Sequence, residues 1–423
     1  MAQSCLPPLS TPHALFPIQL LLLRERGIQD VPIFHDVAFR FHTPLDIARL
    51  EETPKIDWVG MNMYRNKEGY RGPIQRVRYL AGTTRLPFIP ELGCGIWSHH
   101  PLTSTPGEQE FITLLTLMYG LKAFNLYMLV ERERWQGSPI TRHGTFRPEF
   151  AAFYQRLMSF MRRIHLPSLR REPQALLLLN YDLERYTALA STLHYAHVDL
   201  YGFPNELSTV DLPLDFRWNV TCEADYRRYD NWLGTVIRLF ESRSLDYDLS
   251  DTHSSLSRLC RYPLVFVPTV DFMDVEDQTR LLAYVEQGGQ LVIGPGLPYL
   301  DPALQPCEVL KAHIVAPGST FYGGGSIWWV GQDEVSTVVG QLTHPVEYCC
   351  DNVQILLIQQ KYASHTLLFL ANPTAQHQET AIHFSGPRRF TNVWSEFFSC
   401  CEHETMALEL EPYTVQIWEV HHD

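Results

Sequence analysis

Three stretches of this chain carry side chains suited to chemistry. The first runs Pro90-Glu91-Leu92-Gly93-Cys94-Gly95-Ile96-Trp97. One carboxylate follows an apolar run, two glycines let the backbone turn or approach a ligand closely, and Trp97 offers a flat apolar face. The second is Asn62-Met63-Tyr64, the polar exit of an apolar run that begins at Ile56. The third is Asn125-Leu126-Tyr127-Met128, followed by the charge run Glu131-Arg132-Glu133-Arg134-Trp135. A carboxylate can attack an anomeric carbon. Tyrosine and asparagine can hold it by hydrogen bonds, and tryptophan can lie under an apolar sugar face. Each group also has a plainer reading: a strand-end cap, a core ring or a solvated turn.

Such groups act together only if a scaffold gathers them. Hydrophobic periodicity and breaker residues predict helices over 15–26, 43–50, 73–81, 107–119 and 150–165. Between them lie strands over 31–36, 56–64, 88–91 and 123–130. Pro90 cannot donate a ladder hydrogen bond, so it is expected to mark a strand exit. All four strands carry polar or aromatic residues at their C-terminal ends, where a β/α barrel places its chemistry. Four strand–helix units make half a barrel. An open α/β sheet is the structural alternative. His35-Asp36 falls on the same rim, in an outer or structural position.

The rest divides in two. Residues 169–334 alternate strand and helix again, with strands at 175–180, 264–268 and within 288–296 and helices at 225–240 and 276–286. The glycines of 288–296 match neither GxGxxG nor GxxxxGK[ST] and are assigned to turns. Residues 335–423 show short runs of alternating polarity and predict an antiparallel β domain with one wet face.

Composition excludes some classes. The formal net charge is -13 and the basic residues are scattered, which argues against nucleic-acid binding. The apolar run 15–23 is too short to span a membrane. Nine cysteines without CxxC spacing give no zinc signature and suggest reduced, cytoplasmic thiols, with a Cys349–Cys400 bridge left open. His99-His100 lacks a third ligand at suitable spacing. No metal or cofactor is expected.

With these pieces placed, the chain resembles glycoside hydrolases of the β-galactosidase type, families 35 and 42. The residues that carry the likeness are Pro90-Glu91 with Trp97, Asn125-Leu-Tyr127-Met128, Gly120-Leu-Lys-Ala123, and the strand that ends at Asn62 and Tyr64. The resemblance implies an α/β fold: the C-terminal half of a (β/α)8 TIM barrel over 1–168, a flavodoxin-like domain over 169–334, and a small antiparallel β domain over 335–423. It implies a retaining exo-glycosidase, with β-D-galactosides as substrate and Glu91 as nucleophile. Asn62, Tyr64, Trp97, Asn125, Tyr127, Glu131 and Trp135 are the substrate-binding candidates.

The family's acid/base glutamate follows an asparagine on barrel strand four. Here the single Asn-Glu pair is Asn205-Glu206, in the wrong context. The resemblance therefore implies a companion chain that supplies strands one to four and the acid/base, in a higher oligomer. Phe34, Val59, Phe88 and Leu126 are expected along the open barrel core. The alternative is a non-catalytic carbohydrate-binding or scaffolding subunit.

Overall fold

The computed structural model describes residues 23–37, 46–53, 56–64, 66–97, 105–183, 223–362, 365–395, 397–401 and 404–421. His99, His100, Asn205, Glu206 and most of the expected helix over 15–26 lie outside them.

The first unit alternates strand and helix. Its strands are β1 (Phe34–Val37), β2 (Trp58–Met61), β3 (Phe88–Gly93) and β4 (Ala123–Tyr127). They form one parallel sheet in chain order, with Asp36 opposite Gly60, Gly60 opposite Phe88 and Phe88 opposite Ala123. The helices are α1 (Ile47–Glu51), α2 (Arg71–Thr83), α3 (Pro106–Met118) and α4 (Pro148–Arg163). Local sequence sets their ends. Thr105 and Glu108 close a reciprocal capping box ahead of Pro106 at the start of α3. Pro148 and Glu149 open α4, and Arg162 and Arg163 close it, as the helix dipole favours. This is a partial, barrel-like parallel sheet. Among the described residues, no strand pairs with the outer edge of β1 or of β4.

The second sheet contains β5 (Ala175–Leu179), β6 (Tyr247–Asp251), β7 (Leu264–Thr269), β8 (Gln290–Pro295), β9 (Gly318–Tyr322) and β10 (Gly325–Trp329). Its order is β9-β10-β8-β7-β5-β6, parallel except for the β9/β10 hairpin. Helices α5 (Glu223–Ser242), α6 (Val275–Glu286) and α7 (Val335–Leu342) accompany it. Helix α7 corrects the expectation of β structure from residue 335 onward. Its Val335, Val338 and Val339 are buried at helical spacing and join the same core as Trp232 and Val236 of α5.

The remaining strands begin at Cys349 and form antiparallel sheets of five and three strands. Cys349 is a free thiol, paired through its strand with His383, so the bridge to Cys400 is not made.

One apolar core runs through all three units, from Val59 and Leu115 through Phe240 and Phe266 to Phe369 and Ile417. Close polar joints fix the first unit to the second. A Cβ on Gly82 of α2 would meet the Leu249 carbonyl at 2.1 Å, so only glycine lets the helix lie on β6. Among the described residues, no helix is long and apolar enough to cross a membrane.

The expected open core row is only partly open. Val59 is fully buried and Phe88 is 8% exposed, whereas Phe34 on the edge strand is 45% exposed. Phe88 meets Phe34 and Trp58 edge-on at 5.2 and 6.1 Å. Leu126 is half-buried against the main core. Truncating Phe88 to Ala removes a buried ring and leaves a cavity, at an expected cost of about 3–5 kcal/mol. Denaturant titration should show a lower midpoint with the slope unchanged.

Candidate active site

Glu91 owes its position to Pro90. Proline brings no N–H to the ladder, and the β3/β4 register shifts between Ile89 and Leu92. The result is a bulge inside β3 rather than the strand exit expected from sequence, since β3 continues to Gly93. Bulges re-aim the side chain they carry. Beyond it the pairing with the β2 side resumes: Met63 N–H donates to the Glu91 carbonyl and Gly93 N–H to the Met63 carbonyl, both at 2.8 Å. Gly60 provides the room, because a Cβ there would sit 2.5 Å from the Pro90 ring.

Two donors converge on one carboxylate oxygen. Tyr64 Oη donates to Glu91 Oε2 at 2.5 Å, and Asn62 Nδ2 donates to the same oxygen at 3.0 Å. Asn62 Nδ2 also donates to Asp36 Oδ2 at 3.0 Å. One amide therefore links carboxylates at the ends of β1 and β3. Partial desolvation raises the Asp36 carboxyl above its ordinary value; the Asn62 bond opposes this and the neighbouring Glu91 adds to it. Burial and the Glu91 carboxylate push the Tyr64 phenol far above its ordinary range, so it stays a proton donor.

Three rings wall the site. Tyr64, Tyr127 and Trp135 pack edge to face in a triangle, with centroid separations of 6.3, 6.1 and 5.6 Å. Trp135 is fixed by its indole N–H, which donates to the Cys94 carbonyl at 2.8 Å. Gly93 lets Tyr64 lie flat on the strand, since a Cβ there would come within 2.5 Å of the ring.

Other candidates stand differently. Trp97 pairs through its backbone with Trp135, and its side chain is outside the described set. Asn125 is exposed on β4. Glu131 is engaged by the protein itself: Oε1 accepts from Arg147 at 2.5 Å and from Gly137 N–H at 2.8 Å. Burial would raise Glu131, but these bonds outweigh it and hold the carboxyl below its usual value. These contacts tie Glu131 to the loop after β4. Arg132 reaches Tyr127 Oη at 3.1 Å instead of pairing with Glu131.

Sequence reasoning missed the supports. Gln109 of α3 donates to the Gly93 carbonyl at 2.7 Å and accepts from Tyr154 of α4. Arg76 of α2 donates to the Asn62 carbonyl. Gln109 and Arg76 are polar residues buried on helix faces, a signal visible only once those faces are assigned. Asp36 was placed in an outer role, and the structure ties it to Glu91 through a single side chain.

The comparisons with known proteins agree with this architecture. A family profile described as "GLMA-like, second domain" matches residues 217–336. An exo-β-D-glucosaminidase of Pyrococcus horikoshii is 39% identical over 80 residues, covering 19% of this chain and 10% of that protein. The exo-β-D-glucosaminidase of Thermococcus kodakarensis is 24% identical over 269 residues, covering 60% and 31%. A β-1,2-glucosyltransferase of Ignavibacterium album is 24% identical over 245 residues, covering 53% and 31%. Among solved structures, a catalytic mutant of a GH42 β-galactosidase from G. stearothermophilus superposes with a TM-score of 0.68 at 13% identity, covering 96% of this chain and 66% of that one. A β-galactosidase from Bacillus circulans gives 0.65 at 12% identity, covering 96% and 65%. The chain thus spans at most 31% of the curated relatives' length and about two thirds of these solved chains. Its fold is that of the β-galactosidase-type glycoside hydrolases, over part of their length.

Proposed function

We propose that this chain carries the nucleophile side of a retaining exo-β-glycosidase site, with Glu91 as nucleophile. The observation that supports this most is the carboxylate on a bulge at the C-terminal end of a parallel strand, with both of its side-chain donors among the described residues on Oε2. That leaves Oε1 to attack the anomeric carbon, and the aromatic triangle of Tyr64, Tyr127 and Trp135 borders the place where a sugar ring would sit.

In this reading the first sheet is the second half of a (β/α)8 barrel and the second is a flavodoxin-like domain. The general acid is a glutamate on barrel strand four, supplied by a companion chain. Retention requires that carboxyl about 5–5.5 Å from Glu91. It protonates the leaving oxygen, Glu91 forms the glycosyl ester, and water then releases the sugar as the same carboxyl takes its proton back. Asn62 and Tyr64 hold Glu91, and Asn125 and Trp97 are proposed to contact the sugar. Tyr64→Phe removes a hydrogen bond to a charged acceptor, commonly about 1.5–3 kcal/mol, so kcat/KM should fall roughly 10- to 100-fold. Unchanged kinetics would remove Tyr64 from the site.

The likeness of fold points to β-D-galactosides. A second reading, β-D-glucosaminides, is favoured by the sequence relatives and by Asp36. The group on C2 lies next to the attacked carbon, and a carboxylate one amide away from the nucleophile suits an ammonium better than a hydroxyl. The test compares p-nitrophenyl β-D-galactoside with p-nitrophenyl β-D-glucosaminide in the assembled enzyme, with and without Asp36→Asn. Glucosaminide hydrolysis lost selectively in the variant supports the second reading. Galactoside hydrolysis indifferent to the variant supports the first. Failure to hydrolyse either of these or any other β-hexoside would reject the glycosidase assignment.

A further inference from the structure

A second cluster of chemically able groups lies away from Glu91, at the C-terminal edge of the second sheet. The edge is where strand order reverses: β5 has β6 on one side and β7 on the other. Open α/β sheets place ligands at such a reversal. Asp182 follows β5, His253 follows β6, and Asp277 sits in the first turn of α6. Their exposures are 8%, 8% and 0%. One ligand atom from each lies within 4.8 Å of the others.

Two independent features point to a cation among them. First, Asp182 Oδ2 and Asp277 Oδ2 are buried without a hydrogen-bond partner. Such atoms are costly unless something satisfies them. Second, His253 is oriented as a ligand. Its Nδ1 lies 2.5 Å from Asp46 Oδ2, which fixes the tautomer and leaves the Nε2 lone pair turned to the cluster. Nε2 is 3.7 Å from Asp277 Oδ2. That is too long for a hydrogen bond. It is the separation of two ligands that each stand about 2.1 Å from one ion.

The charge count agrees. Asp46, Asp182, Asp251 and Asp277 are all buried. The guanidiniums beside them are Arg280, 2.7 Å from Asp277, and Arg49, 3.4 Å from Asp46. The buried carboxylates outnumber these guanidiniums, which suits a bound cation.

We propose that Asp182, His253 and Asp277 bind a divalent transition-metal ion, zinc by the nature of the ligand set, at the edge of the second sheet. One imidazole and two carboxylates with a position left for water suit zinc better than calcium or magnesium. The site fastens the two units together, because Asp46 both caps α1 of the first unit and holds the His253 ring.

The test uses the full-length chain, stripped with chelator, reloaded with Zn2+ or Mn2+ and freed of unbound metal. Metal content by mass spectrometry should come to about one zinc per chain, and the loaded protein should melt higher than the stripped one. Asp182→Asn and Asp277→Asn should each weaken zinc binding by at least about tenfold and abolish the metal-dependent melting shift. In chelator Asp182→Asn should melt at or above the wild type, since it removes a buried charge with no guanidinium against it; this separates loss of a ligand from misfolding. Absence of stoichiometric zinc and manganese in the wild type would overturn the proposal whatever the variants do. Undiminished zinc binding in both variants would overturn it equally.

Discussion

Glu91→Gln in the assembled enzyme is expected to keep the fold and lose the reaction. The amide is isosteric, and its oxygen can still accept from Tyr64 Oη and Asn62 Nδ2, the two donors that converge on Oε2. The opposite amide rotamer would set an NH2 against both donors, so the side chain should remain in one orientation. What is lost is the nucleophile. Removing such a group from a covalent mechanism commonly costs about 10^4-fold or more in kcat. The thermal midpoint should shift little, because Glu91 is only half-buried and its neighbours keep their partner. Azide added to Glu91→Gly should restore turnover and yield the glycosyl azide of inverted configuration, since the small anion enters where the carboxylate stood. Activity in Glu91→Gln close to that of the wild type would end the assignment.

The second large effect concerns stability. Asp246→Ala is expected to destabilise the chain by about 3–5 kcal/mol, the usual cost of breaking a buried ion pair from one side. Arg78 of α2 reaches Asp246 Oδ1 at 2.7 Å, and Arg171 reaches both its oxygens at 2.7 and 2.9 Å. The side chains of Arg78, Arg171 and Asp246 are 3%, 5% and 13% exposed. Removing the carboxylate leaves two guanidiniums buried together, with Asp248 at 2.9 Å from Arg171 as a counter-charge to one of them. Alanine therefore should do worse than a full apolar replacement of the three.

The pH dependence has a definite sign. Burial would raise the Asp246 carboxyl, but Arg171 and Arg78 outweigh burial and hold it below its ordinary value. A folded-state pKa below the unfolded one gives stability that is present above about pH 3.9 and lost as pH falls through the folded value. The wild type should therefore lose stability in that acid window, and this part of the loss should vanish in Asp246→Ala. Denaturant titrations at pH 3 and pH 7 check both statements.

Much of the first unit was legible because its strands are apolar runs closed by polar residues, with helices between them. The periodicity of 107–119 and 150–165 gave α3 and α4 within one or two residues, since capping at Thr105 and Pro148 is local chemistry. Strand β6 was not legible. It reads Tyr-Asp-Leu-Ser-Asp and every residue is buried. Its polarity looks like a loop until Arg171 and Tyr262 on Asp248 and Tyr79 on Asp251 supply the partners that let it sit in a core.

At the candidate site, residue types and order located Glu91, Asn62 and Tyr64. The link from Asp36 through Asn62 depends on parallel register, which brings together side chains 26 residues apart. No local pattern encodes that. Glu131 lies on the same rim, and its pairing with Arg147, 16 residues on, is likewise not encoded in a local pattern.

The most direct measurement is a covalent trap. The assembled enzyme is treated with a 2-deoxy-2-fluoro β-galactoside bearing a good leaving group, which slows hydrolysis of the glycosyl ester more than its formation. It is then digested and sequenced by mass spectrometry. The account predicts one fluorosugar per chain, on the peptide that contains Pro90-Glu91-Leu92 and on Glu91 itself. A label on Glu131, on Glu206 or on no residue of this chain would contradict it.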